Sequence, residues 1–191
     1  MNHPVVLDLE TKYTFRDFSD HKKLGISIAS LYDYSTATMH SYLESELGEL
    51  YKKLEQASFI IGFNIVSFDL PVLQAYYPGN VEQFKTFDIL DDIKEKLGHR
   101  LALNDVVGAT LDLKKSGHGL HAIELYKEGK IEELREYCEG DVNITRLLFD
   151  YGVEHGEIYY LNHAGKATIR VNWKSVMQSK AKNDISMTLP F

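Results

Sequence analysis

The sequence is poor in cysteine and in long apolar runs, and each shortage excludes a class of protein. A single cysteine, Cys138, stands among 191 residues, so no intrachain disulfide can form. The apolar runs are far too short to span a bilayer, and the first residues lack the charged and apolar regions of a signal peptide. We therefore expect a cytoplasmic protein with no membrane partner.

Positive charge is also scarce. Lys and Arg total 21 against 28 Asp and Glu, which gives a formal net charge of −7. A protein that binds nucleic acid through charge alone carries a surplus of basic side chains, so the composition by itself disfavours such a partner. This inference has one gap, because carboxylates that hold metal ions no longer act as free negative charges.

What the sequence does have is enough apolar content, 44%, for one folded domain. Hydrophobic periodicity predicts strands over residues 4–9, 24–34, 37–42, 58–64 and 84–87. Helical spacing covers residues 44–56, 68–77, 89–97, 104–111, 121–126 and 131–151. The first three strands favour antiparallel pairing, and the strand–helix–strand order that follows favours a parallel crossover. The prediction is an α/β fold with a mixed five-stranded sheet flanked by helices.

Two regions fall outside this pattern. Residues 12–23 are polar and are interpreted as a loop, and residues from about 175 onward have no clear period. Alternation around residues 162–165 predicts a β-hairpin over 158–173. We predict a main domain over 1–157, with 158–191 as an accessory hairpin and basic tail of that same domain.

Acidic residues stand where a packed domain does not need them. Asp8 and Glu10 directly follow an apolar strand, and residues two apart on a strand point to the same face. Two carboxylates so close repel each other unless a proton or a cation lies between them. An isolated Asp-x-Glu is nevertheless more commonly a solvated strand end.

Two further motifs carry acids. Asp69 follows the strand over 58–64, where it either caps the next helix or joins the first two acids at the sheet edge. Tyr137 and Asp141 are four residues apart on a predicted helix and therefore share one face. Four convergent carboxylates are suited to two divalent cations, Mg²⁺ or Mn²⁺, in phosphoryl chemistry.

The motifs together resemble a known family. Asp8-x-Glu10, Asn64-x-x-x-Phe68-Asp69 and Tyr137-x-x-x-Asp141 are similar to the three motifs of the DEDDy 3′–5′ exonucleases of the RNase H-like superfamily. The stretch over 62–73 is most similar to the proofreading exonuclease domain of family B DNA polymerases. The resemblance covers about residues 4–152 and implies an RNase H-like fold.

The resemblance also implies roles for the acids. Asp8 would bridge both metal ions, and Glu10 and Asp141 would complete the site of the ion that activates water. Asp69 would act mainly on the second ion, and Tyr137 would orient the attacking water. These five residues are the predicted catalytic set.

Substrate contacts are implied in the same way. Leu9 and Thr11 would lie against the terminal nucleotide, and Asn64 and Phe68 near the penultimate one. Asp88 stands where relatives often place an acid at a strand end, and we interpret it as a helix cap first and a site residue second.

Two basic segments remain open. Residues 114–121 are either a flexible surface loop, which is modestly favoured, or a phosphate-gripping loop in which Lys114 and Lys115 bind substrate. His118 and His121 are disfavoured as metal ligands, because the carboxylates already supply hard ligands. The stretch over 158–183 has five basic and no acidic residues, with Tyr159, Tyr160 and Trp173 among them. Base stacking and packing on the domain are about equally supported there.

The predicted function is a two-metal 3′–5′ exonuclease that releases nucleoside 5′-monophosphates from the 3′ end of single-stranded nucleic acid, with DNA favoured over RNA. The alternative is a catalytically weak, nuclease-like module that binds nucleic acid beside a helicase or polymerase partner. An RNase H-type endonuclease is disfavoured by the pair Tyr137 and Asp141.

Overall fold

A mixed five-stranded sheet forms the centre of the molecule. The computed structural model describes residues 3–113 and 119–182. The strands are β1 (Val5–Thr11), β2 (Ile26–Asp33), β3 (Thr38–Leu43), β4 (Ile60–Gly62) and β5 (Thr86–Asp88). Their order is β3-β2-β1-β4-β5, in which β1, β2 and β3 pair antiparallel and β1, β4 and β5 pair parallel. The predicted α/β fold is therefore confirmed.

The alternation along β1 divides the core between the two faces of the sheet. Val5, Leu7 and Leu9 pack into the cluster beneath the first two helices, α1 (Leu47–Gln56) and α2 (Asp69–Leu73). Val6 packs into the cluster on the opposite face, and Asp8 shares that face because side chains two apart on a strand project together. The central strand thus carries its acids toward the helices of the second face.

Four of the described helices cover that second face. They are α3 (Ile89–Leu97), α4 (Leu103–Leu111), α5 (Gly119–Lys127) and α6 (Ile131–His155). The helix α6 is the longest at 25 residues, and it packs across β1 and β2. No helix among the described residues is long and apolar enough to cross a membrane.

The C-terminal region confirms one prediction and adds a helix. The hairpin forms from β6 (Glu157–Asn162) and β7 (Gly165–Arg170), close to the predicted bounds. Residues 175–182, where the sequence shows no clear period, lie in a helix, α7 (Trp173–Lys182), and residues 183–191 lie outside the described part of the chain. The predicted helix over 68–77 is shorter than expected, because the chain leaves α2 after Leu73 and continues in turns.

Trp173 explains why α7 is held in place despite its weak periodicity. Its ring is 1% exposed and stacks on Phe149 of α6 at 5.6 Å between centroids. Its indole Nε1 donates to Asp92 Oδ2 at 2.8 Å. A Cβ at Gly152 would stand 2.1 Å from the same ring, so that glycine allows the ring to approach. Trp173 therefore packs on the domain and is not available for base stacking.

Asp33 gives the fold a testable pH dependence. Burial alone would raise the pKa of its carboxyl, but hydrogen bonds from Ser35 and Lys53 outweigh burial and lower this pKa to about 2. The ionised Asp33 carboxylate therefore stabilises the folded protein. Because its pKa is lower in the folded state, this contribution is complete above the pKa that Asp33 has in the unfolded chain, and it is lost as the pH falls toward 2.

We therefore expect Asp33→Asn to lower the free energy of unfolding at pH 7 by about 1–2 kcal/mol. This loss is smaller than the pKa shift alone would give, because Lys53 is partly exposed and solvent screens its charge. The difference from wild type should shrink as pH falls from about 4 toward 2. Urea unfolding of both proteins at several pH values measures it. A difference that stays constant over this range would contradict the assignment.

Candidate active site

Three carboxylates from two distant elements meet at the end of the central strand. Asp8 and Glu10 project from β1, and Asp141 projects from α6. Each of the three can place one oxygen within 4.8 Å of the others. Glu10 is 9% exposed and Asp141 is 1% exposed, so this charge is concentrated in a largely buried position.

The helix α6 also carries Tyr137, the residue predicted to act together with Asp141. Tyr137 lies one turn before Asp141 and is also buried. Its ring meets the ring of His121 from α5 edge-on at 5.8 Å. His121 thus packs against the tyrosine.

Cys138 links α6 to the first acid. Its thiol donates to the backbone oxygen of Asp8 at 3.7 Å and contacts Asp8 Oδ2 at 3.8 Å. Complete burial, followed by the negative charges of Asp8 and Glu10, raises the pKa of this thiol well above its ordinary value. The sulfur therefore remains a protonated donor and is not a reactive thiolate.

Asp69 reaches the site from the other side of the sheet. It stands at the first position of α2 and is 3% exposed. Its Oδ1 accepts a hydrogen bond from the backbone N–H of Leu9 at 3.0 Å, between the two acids of β1. Asp69, the fourth predicted acid, is therefore hydrogen-bonded to β1, although it does not belong to the cluster of Asp8, Glu10 and Asp141.

A cleft of about 450 Å³ opens beside these acids. Its walls include every predicted substrate residue that the structure describes, namely Leu9, Thr11, Asn64 and Phe68, together with Asp8, Glu10 and Asp69. Lys114, Lys115 and His118 lie outside the described residues.

The cleft wall also contains residues that sequence analysis did not select. They are Tyr13, Thr14, Phe15, Leu24, Phe63, Leu120 and Ile123. The first three belong to the segment interpreted as a polar loop. The available signal was the density of aromatic residues there, with Tyr13, Phe15 and Phe18 among twelve otherwise mostly polar positions.

Asp88 is both a helix cap and a positioning residue. Its Oδ1 accepts from Leu90 N at 3.0 Å and from Asn64 N at 2.8 Å, and its Oδ2 accepts from Val66 N at 3.0 Å. Asn64 has a left-handed backbone with φ of 70°, so the turn there needs external support. The cap interpretation is confirmed, and the same carboxylate also holds the turn before Phe68.

We expect Asp88→Asn to weaken this support, because an amide nitrogen cannot accept from a backbone N–H. The expected loss is about 1–2 kcal/mol of stability. Loss of these hydrogen bonds should also loosen the turn, so the amides of Asn64 and Val66 should exchange their hydrogens faster. Thermal unfolding and amide hydrogen exchange measure the two effects, and unchanged exchange at these amides would argue against the positioning role.

The arrangement of acids fits divalent cations. Oxygen ligands on opposite sides of a Mg²⁺ ion are about 4 Å apart, close to the 4.8 Å spread of Asp8, Glu10 and Asp141. All three supply the hard oxygen donors that Mg²⁺ and Mn²⁺ prefer. The residues present could therefore hold such an ion.

Solved structures share this fold. The family B DNA polymerase of Pyrobaculum calidifontis matches with a TM-score of 0.61 at 14% identity, over 80% of this chain and 25% of the polymerase chain. RNase D of Trypanosoma brucei matches with a TM-score of 0.58 at 16% identity, over 78% of this chain and 57% of that chain. Its complex with GMP matches with a TM-score of 0.60 over 78% and 50% of the two chains, also at 16% identity.

At these identities the likeness concerns the fold, which is RNase H-like as predicted. The chain spans about a quarter of the polymerase and about half of the RNase D chains it matches. No protein-family model matches the sequence, and neither does any curated protein.

Proposed function

We propose that this protein is a metal-dependent 3′–5′ exonuclease that acts on single-stranded nucleic acid and releases nucleoside 5′-monophosphates. The observation that carries the proposal is the convergence of Asp8, Glu10 and Asp141 beside a cleft of about 450 Å³. The RNase H-like fold shared with a DNA polymerase and with RNase D also supports a nuclease function.

Two divalent cations, Mg²⁺ or Mn²⁺, would activate water and neutralise charge on the scissile phosphate when bound. Asp8, Glu10 and Asp141 would hold the first ion. Asp69 would contribute to the second, with its orientation fixed by the N–H of Leu9. Buried carboxylates held on a strand and a long helix keep this donor set in place before substrate arrives.

The remaining roles belong to the protein's own side chains. The Tyr137 hydroxyl would orient the attacking water, since it shares the face of α6 that carries Asp141. Leu9 and Thr11 would contact the terminal nucleotide, and Asn64 and Phe68 the penultimate one. The cleft at the end of β1 would thereby present the last phosphodiester bond to the acids.

Labelled single strands test this proposal. The protein is incubated with 5′-labelled and 3′-labelled DNA and RNA strands of equal sequence, in Mg²⁺, in Mn²⁺ and in EDTA. The expected result is stepwise shortening from the 3′ end with either metal and none in EDTA. DNA is expected to be the better substrate.

Other outcomes would replace the proposal. Internal cuts would indicate an endonuclease. Tight binding without cleavage would indicate a nucleic-acid-binding module, which a helicase or polymerase partner could recruit. Equal cleavage in EDTA would exclude the metal-dependent mechanism.

A further inference from the structure

The segment over residues 12–23, which we call the aromatic loop, is closed by its own hydrogen bonds. The backbone N–H groups of Lys12 and Tyr13 both donate to Leu24 O, at 3.2 and 3.0 Å, which joins the two ends of the loop. Inside it, Thr14 N donates to Asp17 Oδ2 at 2.8 Å and Lys22 N donates to Asp20 Oδ1 at 3.0 Å. The loop is therefore an ordered surface with a set conformation.

This loop presents aromatic side chains to solvent instead of burying them. Phe15 is 51% exposed, Tyr13 is 43% exposed and Phe18 is 38% exposed. Such a cluster of exposed rings contributes little to the core, and a patch of this kind marks a binding surface.

Phe15 joins the loop to the candidate active site. Its ring meets Phe68 at 5.9 Å and His21 at 4.9 Å between centroids, and the rings of His21 and Phe68 are 6.1 Å apart. Phe15 and Phe68 line the catalytic cleft. The three rings therefore form a continuous aromatic wall that begins beside the acids.

The wall leads from the cleft to a second groove. This groove has a volume of about 490 Å³ and is lined by His21 and Lys22 from the loop and by Val66 and Gln74 from beyond β4. Because His21 lines the groove and contacts Phe15, the cleft and the groove lie on either side of the same wall.

Local charge favours a polyanion here. The aromatic loop has four basic and two acidic residues, in a chain whose net charge is −7, and one of the four, Lys12, is paired with Glu44 outside the loop. Both acids, Asp17 and Asp20, accept hydrogen bonds from donors within the loop. Aromatic rings interleaved with basic side chains are the surface on which single strands stack their bases.

Resting on the proposed exonuclease function, we propose that the aromatic loop is a stacking platform for the bases upstream of the two 3′-terminal nucleotides. The single strand leaves the cleft over Phe15 and His21 and enters the second groove. Base faces are common to all four nucleotides, so the platform recognises single strands without reading their sequence.

The test compares Phe15→Ala with wild type on two deoxyoligonucleotides, one of 2 and one of 10 nucleotides. Binding is measured by fluorescence anisotropy with Ca²⁺, and cleavage with Mg²⁺. We expect Phe15→Ala to weaken binding of the 10-mer about tenfold and to raise its KM by a similar factor, with kcat unchanged. Binding and cleavage of the dinucleotide should change much less than those of the 10-mer, because the dinucleotide reaches only the part of the cleft wall that Phe15 shares with Phe68.

Two control variants separate stacking from a structural role. Phe15→Trp retains an aromatic face and should restore 10-mer binding. Phe18→Ala removes an exposed ring that packs on Tyr13, at 5.2 Å, and lines neither the cleft nor the second groove, so it should weaken 10-mer binding much less than Phe15→Ala does. Equal unfolding temperatures of the variants would show that the fold is kept.

The platform is overturned if Phe15→Ala binds the 10-mer as tightly as wild type, or if it loses dinucleotide cleavage to the same extent. Failure of wild type to bind the 10-mer would overturn it as well. If wild type binds the 10-mer but does not cleave it, the exonuclease proposal fails. The platform proposal can still be tested in that case, because anisotropy measures how far Phe15→Ala weakens binding of the 10-mer.

Discussion

Replacing Asp141 with Asn is expected to lower kcat/KM for nucleotide release by about 10³-fold or more, the largest effect we expect from any single substitution. The amide keeps the size of the side chain but removes the charge that would hold a divalent cation with Asp8 and Glu10. Time courses on a 5′-labelled single strand in Mg²⁺ measure the loss.

The same substitution should have the opposite effect on stability. Without metal, three carboxylates with oxygens within 4.8 Å of one another repel, and Asn relieves part of that repulsion. We expect the metal-free variant to unfold about 2–4 °C above metal-free wild type. Added Mg²⁺ should raise the unfolding temperature of wild type more than that of the variant, because binding stabilises only the protein that binds.

Glu139→Gln is the matched control. It removes one negative charge from α6, as Asp141→Asn does, but at a position two residues away. Glu139 accepts a hydrogen bond from Ser41 Oγ at 2.6 Å and does not belong to the cluster of Asp8, Glu10 and Asp141. Its activity should remain close to that of wild type. If Asp141→Asn also kept activity within tenfold of wild type, the assignment of this site would be wrong.

The second large effect is expected at Gly62, the last residue of β4. A Cβ at this position would stand 2.0 Å from Ile65 Cγ2 and 3.0 Å from the backbone oxygen of Leu7 on β1. Neither neighbour can move freely, since Ile65 is fully buried and Leu7 belongs to the central strand. Gly62→Ala should therefore cost about 2–4 kcal/mol of unfolding free energy.

Activity should fall with stability in this variant, because Ile65 lies in the turn between Asn64 and Phe68 that forms one wall of the cleft. Urea unfolding measures the first effect, and cleavage below the unfolding temperature measures the second. Gly48→Ala is the control, since nothing lies within 4 Å of a Cβ there and the site is in helix α1. That change should stabilise the protein by up to about 1 kcal/mol. A neutral Gly62→Ala would contradict this close packing.

Local sequence patterns predicted most of the elements. The bounds of α3 match the prediction over 89–97, and α6 begins at the predicted residue and ends four residues beyond the predicted end. These helices combine an apolar stripe with end signals, such as the Asp88 cap and Gly98 at the end of α3. The helix α7 was missed because Trp173 anchors it through a contact with α6, and such a contact leaves no periodicity in the local sequence.

The sequence by itself determined the acidic motifs and the local geometry of each. The i, i+2 spacing of Asp8 and Glu10 and the i, i+4 spacing of Tyr137 and Asp141 follow from strand and helix geometry alone. Only the tertiary structure decided that α6 crosses β1 on the face that carries its acids, so that Asp141 joins Asp8 and Glu10. The tertiary structure also brings Asp69 into a hydrogen bond with the backbone N–H of Leu9 and packs the aromatic loop against Phe68. Backbone periodicity fixes where neighbouring side chains point, whereas contacts between residues more than 50 positions apart depend on how the whole core packs.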